Sequence, residues 1–202
     1  MEKKLILPEV LAPAGNFEKL RAAARFGADA VYLAGRRFGM RQASENFSLE
    51  ELAEAAEYMH SRGKKMYLTV NILPHGPEYP ALREFIRECA KIDIDGYIVA
   101  DLGVIAMIKE INPTADIHIS TQASIVSPEA ALEYIKLGAT RLVLARELSL
   151  KEIRAIRDRI PEHIELEAFV HGSMCVSYSG RCMLSDFMVN RSANHGACAQ
   201  PC

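Results

Sequence analysis

The sequence predicts an α/β fold of the TIM-barrel type, in which strands and helices alternate around a parallel sheet. Short β-branched apolar runs alternate with amphipathic helical stretches along most of the chain. The runs GADAVYLA, DIDGYIVA and GATRLVLA repeat one pattern, because each begins a strand directly after a helix ends. Recurrent βα units of this kind form a parallel sheet, either closed or open. A doubly wound open sheet is therefore the alternative to the barrel.

Seven strands are predicted, and a helical segment follows each of the first six. The predicted strands span residues 7–12, 30–34, 66–71, 97–101, 117–122, 142–146 and 164–171. A closed barrel of this type has eight βα units, so the predicted barrel is incomplete by one unit. We therefore expect a barrel over residues 1–172, a cysteine-rich segment over 173–202, and a longer parent protein of which this chain is the N-terminal part.

Helix starts are marked by side chains that can cap the first turn. Ser48 and Ser149 are each followed three residues later by a glutamate, which is the capping-box pattern. Asn16 precedes the first helical run, and Ser127 stands before a proline at the first helical position. Within the third helical segment, Cys89 shares a helical face with apolar residues, which predicts a small buried side chain.

Composition limits the class of protein without fixing its substrate. Half of the 202 residues are hydrophobic and a quarter are charged, as in ordinary soluble globular proteins. No apolar run reaches about 18 residues, so we expect no membrane span. The apolar run at the N-terminus is shorter than that of a signal peptide, which predicts a cytoplasmic protein. A formal charge of −2 neither indicates nor excludes nucleic-acid binding, since local patches decide it.

Polar side chains are predicted to line the barrel interior. Side chains alternate between the two faces of a strand, and in several strands one face is apolar and the other polar. The apolar face should pack under the helices, leaving the polar face to rise toward the C-terminal mouth, where barrel active sites are built. An ordinary hydrogen-bonded strand end is the alternative for any one of these residues. The candidate substrate-binding residues at strand ends are Asn71, Asp101, Gln122 and Arg146, and His171 ends the last strand.

A basic loop after the second strand would add positive charge to the same mouth. It carries Arg36, Arg37 and Arg41. Arginine forks suit phosphates and carboxylates, so this loop predicts contact with a nucleic-acid backbone or an anionic small molecule. A solvated loop is the alternative interpretation.

Four of the five cysteines lie close together at the end of the chain, in Gly- and Ser-rich sequence. Cys175 and Cys182 are widely spaced for a zinc ribbon, whereas Cys198 and Cys202 are not. Because clustered thiols in a reducing compartment favour metal binding over disulfides, this spacing indicates an iron–sulfur cluster, with zinc or redox thiols as alternatives.

These residues carry a resemblance to a known family. The run EAFVHGSMCVSYSGRCMLS at 167–185 closely resembles the signature of the collagenase-like peptidase family, the U-type peptidase family thirty-two. The runs RSANHGACAQPC at 191–202, STQAS at 120–124 and PEVLAPAGNFEKLRAAARFGADAVYLAG near the N-terminus are similar to that family as well. The resemblance covers nearly the whole chain.

The resemblance implies an iron–sulfur protein that supports oxygen-independent hydroxylation of RNA. It implies tRNA as partner, a wobble uridine as target, prephenate as hydroxyl donor and a 4Fe–4S cluster as cofactor, with a ribosomal RNA cytidine as the alternative target. Carried over by position, the cluster ligands are Cys175, Cys182 and Cys198. Cys202 is the provisional fourth ligand, and a cysteine further downstream in a longer parent protein is the alternative. On the predicted last strand, Glu167 and His171 share a face beside Cys175, so either could move protons or position substrate.

Two other functions are consistent with the resemblance. The family label implies a peptidase, for which Cys175 and His171 could form a thiolate pair, although that would leave three cysteines unexplained. The sequence also lacks an HExxH zinc motif and a G-x-S-x-G nucleophile elbow. A cluster-bearing subunit that works with a paralogous partner, as in quinone hydroxylation, is the third hypothesis.

Overall fold

Seven parallel strands form one curled sheet in the computed structural model, which describes residues 7–40 and 45–202. The strands are hydrogen-bonded in the order in which they occur along the chain. This arrangement confirms the predicted barrel-like α/β fold. The strands are β1 Leu11–Pro13, β2 Ala30–Ala34, β3 Lys65–Val70, β4 Gly96–Val99, β5 Ile117–Ile119, β6 Ala139–Val143 and β7 Glu165–Glu167.

A helix follows each of the first six strands, as predicted, and a seventh lies in the cysteine-rich segment. The helices are α1 Phe17–Arg25, α2 Leu49–His60, α3 Tyr79–Cys89, α4 Leu102–Ile111, α5 Pro128–Lys136, α6 Leu150–Arg157 and α7 Leu184–Val189. Three short 3-10 turns lie at Gly76–Glu78, Thr121–Ala123 and Ala193–His195. None of the helices in the described part of the chain is long and apolar enough to cross a membrane.

The predicted caps are confirmed. Asn16, Ser127 and the serines of both capping boxes each accept a backbone N–H from the first turn of their helix. At the start of α2 the Glu51 carboxylate also accepts the Ser48 backbone N–H at 2.7 Å. Since each cap satisfies donors that the helix leaves free, each βα loop ends at a fixed residue.

The prediction for the last strand was wrong. It ran from 164 to 171, whereas β7 ends at Glu167. The backbone bond from Leu144 N–H to the Glu167 carbonyl is the last one made along this edge, because β6 has already ended at Val143. Residues 168–171 have no strand to pair with, so His171 lies in an exposed connection beyond the sheet.

Smaller corrections apply to five other strands. β1 begins at Leu11 rather than at residue 7, β4 ends at Val99, and β6 ends at Val143. β3 is shifted by one residue to 65–70, and β5 ends at Ile119 rather than at residue 122. Asp101 caps the next helix instead of extending β4. The strand at 30–34 has the predicted bounds.

The main core lies between the sheet and the helices. Every second side chain of the strands points into it, including Val31, Leu68, Val99 and Leu142. Cys89 is fully buried there, and burial raises the pKa of its thiol to about 12. The predicted role of Cys89 as a small core side chain is confirmed.

The other face of the sheet encloses a second, more polar interior. Tyr67 of β3 meets His118 of β5 edge to face, with ring centroids 4.6 Å apart. Gly96 of β4 lies beside them, and a Cβ there would stand 2.9 Å from the His118 ring. The glycine therefore makes room for the histidine inside the curl of the sheet.

Candidate functional site

A cavity of about 180 Å³ opens at the C-terminal ends of the strands, on the inner face of the sheet. Three of the predicted site residues, Asn71, Gln122 and Glu167, line it together. Its polar lining comes mainly from β3 and from the turn after β5, and its apolar lining mainly from β1, β2 and β4. Its other lining residues include Ala14, Tyr32, Ala34, Met40, Asn46, Thr69, Ile98, Ser120, Thr121, Val143 and Phe169.

The polar wall is held by hydrogen bonds between neighbouring loops. Asn71 accepts the backbone N–H of Met40 at 3.3 Å and donates to Ser120 Oγ at 3.3 Å. Gln122 Oε1 is buried but has no hydrogen-bond partner among the described residues. This oxygen lies beside Gly180, where an added Cβ would stand 3.3 Å from it, so the cysteine-rich segment covers it.

An ionic network lies beneath the cavity, around Arg141 of β6. The Arg141 guanidinium is almost fully buried. Its Nη1 lies 2.8 Å from Glu9 and 3.5 Å from Glu167, and its Nε donates to Glu165 at 2.6 Å. Tyr67 donates its hydroxyl to Glu9 at 3.0 Å. Three carboxylates thus share one guanidinium, and Lys65 adds a second cation 3.5 Å from Glu9.

This charge balance changes the proton affinity of the buried groups. Burial raises the pKa of the Glu167 carboxyl, and the Arg141 charge only partly opposes that effect. Burial also lowers the pKa of His118 to about 3, and Arg141 and Lys65 push in the same direction. His118 is therefore neutral near pH 7, whereas Glu167 holds its proton to higher pH than an ordinary glutamate.

The cysteine-rich segment, residues 173–202, is fastened to the rim of this cavity. Arg146 donates to the carbonyls of Cys175 and Ser177 at 2.7 and 2.9 Å, and to Ser179 Oγ at 2.7 Å. Ser124 Oγ donates to the Ser179 carbonyl at 2.7 Å. The predicted substrate residue Arg146 thus holds the segment in place and makes these contacts outside the cavity.

The segment packs tightly against the cavity wall at Gly180. A Cβ at this position would stand 2.4 Å from the Gln122 carbonyl oxygen, and the Gly180 φ is +69°. Only glycine fits both the left-handed backbone and this distance. The stretch between Cys175 and Cys182 therefore rests on the wall that Thr121 and Gln122 form.

The four segment cysteines are free thiols, and three of them are exposed. Sulfur atoms of Cys182 and Cys198 each accept a backbone N–H from two residues ahead, at 3.5 and 3.4 Å. A bond from the Ala199 N–H to Ser185 Oγ at 3.0 Å ties the Cys198 loop to the start of α7. Cys182 and Cys198 thus lie on loops that are bonded to each other.

The spacing of the sulfurs distinguishes two kinds of metal centre. Nowhere in residues 7–40 and 45–202 do three cysteine sulfurs lie within 4.8 Å of one another. A single zinc ion bound at 2.3 Å to each thiolate would hold them about 3.8 Å apart. A cluster spreads its thiolates more widely, because each binds a different iron atom.

The remaining predicted residues lie away from the cavity. Asp101 caps α4 and accepts the Tyr79 hydroxyl at 2.6 Å. Burial and this carboxylate raise the pKa of Tyr79 to about 12. Arg36 pairs with Glu51 at 3.3 Å, and Arg37 stacks on a neighbouring ring. Arg41 lies outside the described residues, and His171 is exposed.

Sequence reasoning missed Arg141 and Glu9. Arg141 had a signal, since it is the one charged residue in the apolar strand run GATRLVLA. A charge inside a buried strand needs a partner, which would have pointed to the glutamates of the facing strands. Glu9 gave no such signal, because it is separated from Arg141 by most of the chain.

Comparison with known proteins agrees with this architecture. The chain is 42% identical over 195 residues to tRNA hydroxylation protein P1 of Bacillus subtilis, covering 96% of this chain and 46% of that protein. It is 39% identical over 194 residues to the 23S rRNA 5-hydroxycytidine synthase of Escherichia coli, covering 96% of this chain and 29% of that protein. The chain thus spans about half or less of the length of these curated relatives.

A solved structure and a family profile complete the comparison. The U32 peptidase Mk0906 superimposes with a TM-score of 0.68 at 21% identity, covering 83% of this chain and 70% of that one. This likeness concerns the fold. The profile described as peptidase family U32 matches residues 15–202. On this match and the identities above, the chain belongs to peptidase family U32.

Proposed function

We propose that the protein takes part in the oxygen-independent hydroxylation of RNA, most specifically of a tRNA wobble uridine, with an iron–sulfur cluster on its four terminal cysteines. The supporting relatives are named for hydroxylation of tRNA and of ribosomal RNA. The observation that carries the proposal is the contact between the cysteine-rich segment and the cavity wall at Gly180 and Gln122. This contact brings the cysteine-rich segment, whose four thiols we propose as the cluster ligands, to the rim of the cavity.

We assign the cysteine-rich segment to a cluster rather than to a single ion. Its four thiols are free, and within the described part of the chain no three sulfurs lie within 4.8 Å of one another. Backbone N–H groups already point at two of the sulfurs, and such bonds stabilise thiolates and tune a bound cluster. Cys175, Cys182, Cys198 and Cys202 would hold it, and it would supply electron transfer at the cavity rim.

The cavity suits a small molecule with polar and apolar parts rather than a nucleotide. Its volume is about 180 Å³, and its mainly apolar lining includes the polar side chains of Asn71, Ser120 and Glu167. We assign this cavity to the hydroxyl donor, and prephenate or a similar hydroxylated carboxylate is the donor we propose. Glu167 would donate or accept a proton there, because its raised pKa keeps it protonated to higher pH.

RNA would approach from outside the cavity. Arg36 and Arg37 are exposed on the loop after β2, at the same end of the sheet as the cysteines. Guanidinium groups in this position suit phosphate contacts. RNA is therefore the macromolecular partner that we propose, and a paralogous subunit could complete the site beside it.

Nucleoside mass spectrometry of the producing organism tests this function. Deletion of the gene should remove one hydroxylated tRNA nucleoside, and the wild-type gene should restore it. Glu167→Gln and Cys182→Ser should restore less than about a tenth of it, since each removes a group from the proposed chemistry. The exposed Glu162→Gln variant is the matched control and should restore it fully.

The possible outcomes separate the alternatives. If the deletion instead removes a hydroxylated nucleoside of ribosomal RNA, RNA hydroxylation stands as the function and tRNA is the wrong substrate. Unchanged nucleosides in both RNA classes would contradict the proposal. Cleavage of a peptide by the purified protein, lost in Cys175→Ser, would favour the peptidase hypothesis in its place.

A further inference from the structure

Two histidines and a glutamate form a cluster at the edge of the cysteine-rich segment, apart from the cysteines themselves. One candidate ligand atom each of His75, Glu78 and His195 lies within 4.8 Å of the other two. His75 precedes the 3-10 turn after β3 and Glu78 ends that turn, whereas His195 ends the turn between Cys182 and Cys198. The cluster thus joins parts of the chain that are far apart in sequence.

Several contacts hold the two turns of the cluster together. The imidazole rings of His75 and His195 are perpendicular, with centroids 4.6 Å apart. His195 Nε2 lies 3.4 Å from Glu78 Oε2, which also accepts the His75 backbone N–H at 2.7 Å. A backbone bond from Leu73 to Asn194 at 3.2 Å holds the two turns together.

The second nitrogen of His195 is already occupied. Ser192 Oγ lies 2.8 Å from His195 Nδ1. Metal-binding histidines commonly use one ring nitrogen for the metal and hydrogen-bond the other, because that bond fixes the tautomer and orients the ring. Here Nε2 is the nitrogen left for a ligand, and it points toward Glu78.

We propose that His75, Glu78 and His195 bind a divalent transition-metal ion of the zinc class. Two imidazoles and one carboxylate, with further positions open, are the ligand set of several zinc and non-haem iron sites. Zinc ligands at about 2.1 Å stand about 3.4 Å apart in a tetrahedron, which is the separation of His195 and Glu78. His75 is exposed, so its ring is free to close the remaining gap.

This site is chemically distinct from the cysteine centre and does not depend on it. Its ligands are nitrogen and oxygen, whereas the cysteine centre has sulfur ligands. A bound ion would tie the loop after β3 to the segment between Cys182 and Cys198. The ion would therefore attach the cysteine-rich segment to the barrel at a second point, in addition to the hydrogen bonds of Arg146.

Metal content under controlled free zinc tests the site. Protein kept reduced is dialysed against a buffered zinc concentration and analysed for bound zinc. His75→Ala, His195→Ala and Glu78→Gln should each bind about one equivalent less than wild type, and their affinity at this site should fall about 100-fold or more. Ser192→Ala should weaken it about 10- to 100-fold. The exposed His163→Ala variant should bind as wild type.

Cobalt spectra assign the lost equivalent to its ligands. The cobalt that wild type binds and His195→Ala does not should show weak visible bands without intense thiolate charge-transfer absorption. Equal zinc content in wild type and in the His75 and His195 variants would overturn the proposal. Intense thiolate absorption from the cobalt that only wild type binds would also overturn it, because it would assign that ion to the cysteines. Circular dichroism verifies that each variant is folded, and Glu78→Gln preserves the side-chain volume.

Discussion

Charged side chains inside the barrel are the most unusual feature at the scale of single residues. Arg141 is nearly fully buried, and it faces three carboxylates and the ring of Tyr67. Barrel interiors of this class are usually filled with branched apolar side chains. Burying this many charges is costly unless each is paired, and the position of the network directly beneath the cavity agrees with a functional role.

His118 gives a pH-dependent test of the buried interior. The pKa of His118 falls from 6.5 to about 3 on folding, mainly through burial. The unfolded chain therefore binds this proton first, and stability is lost as pH falls below 6.5. Between about pH 7 and pH 5, the free energy of unfolding should therefore fall by about 2 kcal/mol less in His118→Gln than in wild type. Urea unfolding at the two pH values measures this difference.

The control for this test is an exposed histidine. His163→Gln should leave the pH dependence of unfolding as in wild type. Comparing slopes rather than absolute stabilities removes the effect of losing the His118 contact with Tyr67. An identical slope in wild type and His118→Gln would show that the ring is not buried as described.

The sequence predicted the interior only in part, for physical reasons. Alternation predicted a polar inner face, and Tyr67, Thr69 and His118 lie on that face, because side chains in a strand must alternate. It could not show that Arg141 would pair with Glu9. That pairing depends on the curl of the sheet, which brings the chain before β1 close to β6.

At the scale of elements, most of the chain is determined locally. Each of the four predicted N-caps begins a helix, since polar side chains at these positions satisfy backbone donors that the helix leaves free. Strand ends were predicted less well, and β7 is the clearest case. The length of β7 depends on where β6 ends, and the sequence of residues 164–171 carries no information about that.

The docking of the cysteine-rich segment can be tested at one glycine. Gly180 and Gly63 have nearly equal positive φ angles of +69° and +66°, but only Gly180 faces a close neighbour. Alanine at either position carries the same backbone strain of about 1 kcal/mol, whereas Gly180→Ala adds a clash with the Gln122 carbonyl. We expect limited proteolysis within 173–202 to speed up several-fold in Gly180→Ala alone.

Mass spectrometry of the fragments locates the cleavage sites in that experiment. Gly63→Ala should show the wild-type pattern, apart from a small loss of overall stability. Equal cleavage rates in the two variants would mean that the segment does not rest on the cavity wall.

At the scale of the whole molecule, the fold brings two chemically different regions to one end of the sheet. The parallel strands direct their C-terminal ends to one side, and the loops there build the cavity. The segment that follows β7 then crosses these loops and carries the cysteines to the rim. Barrel architecture alone could be predicted from the repeating βα pattern, whereas the path of this segment could not, because it depends on Arg146, Ser124 and Gly180.

The central claim is that this segment holds an iron–sulfur cluster. Iron and acid-labile sulfide analysis of anaerobically purified protein, with absorption and EPR spectra, tests it most directly. We predict about four irons and four sulfides per chain, lost in Cys182→Ser and kept when the buried Cys89 is changed to Ala. A colourless protein without iron after anaerobic reconstitution would contradict it.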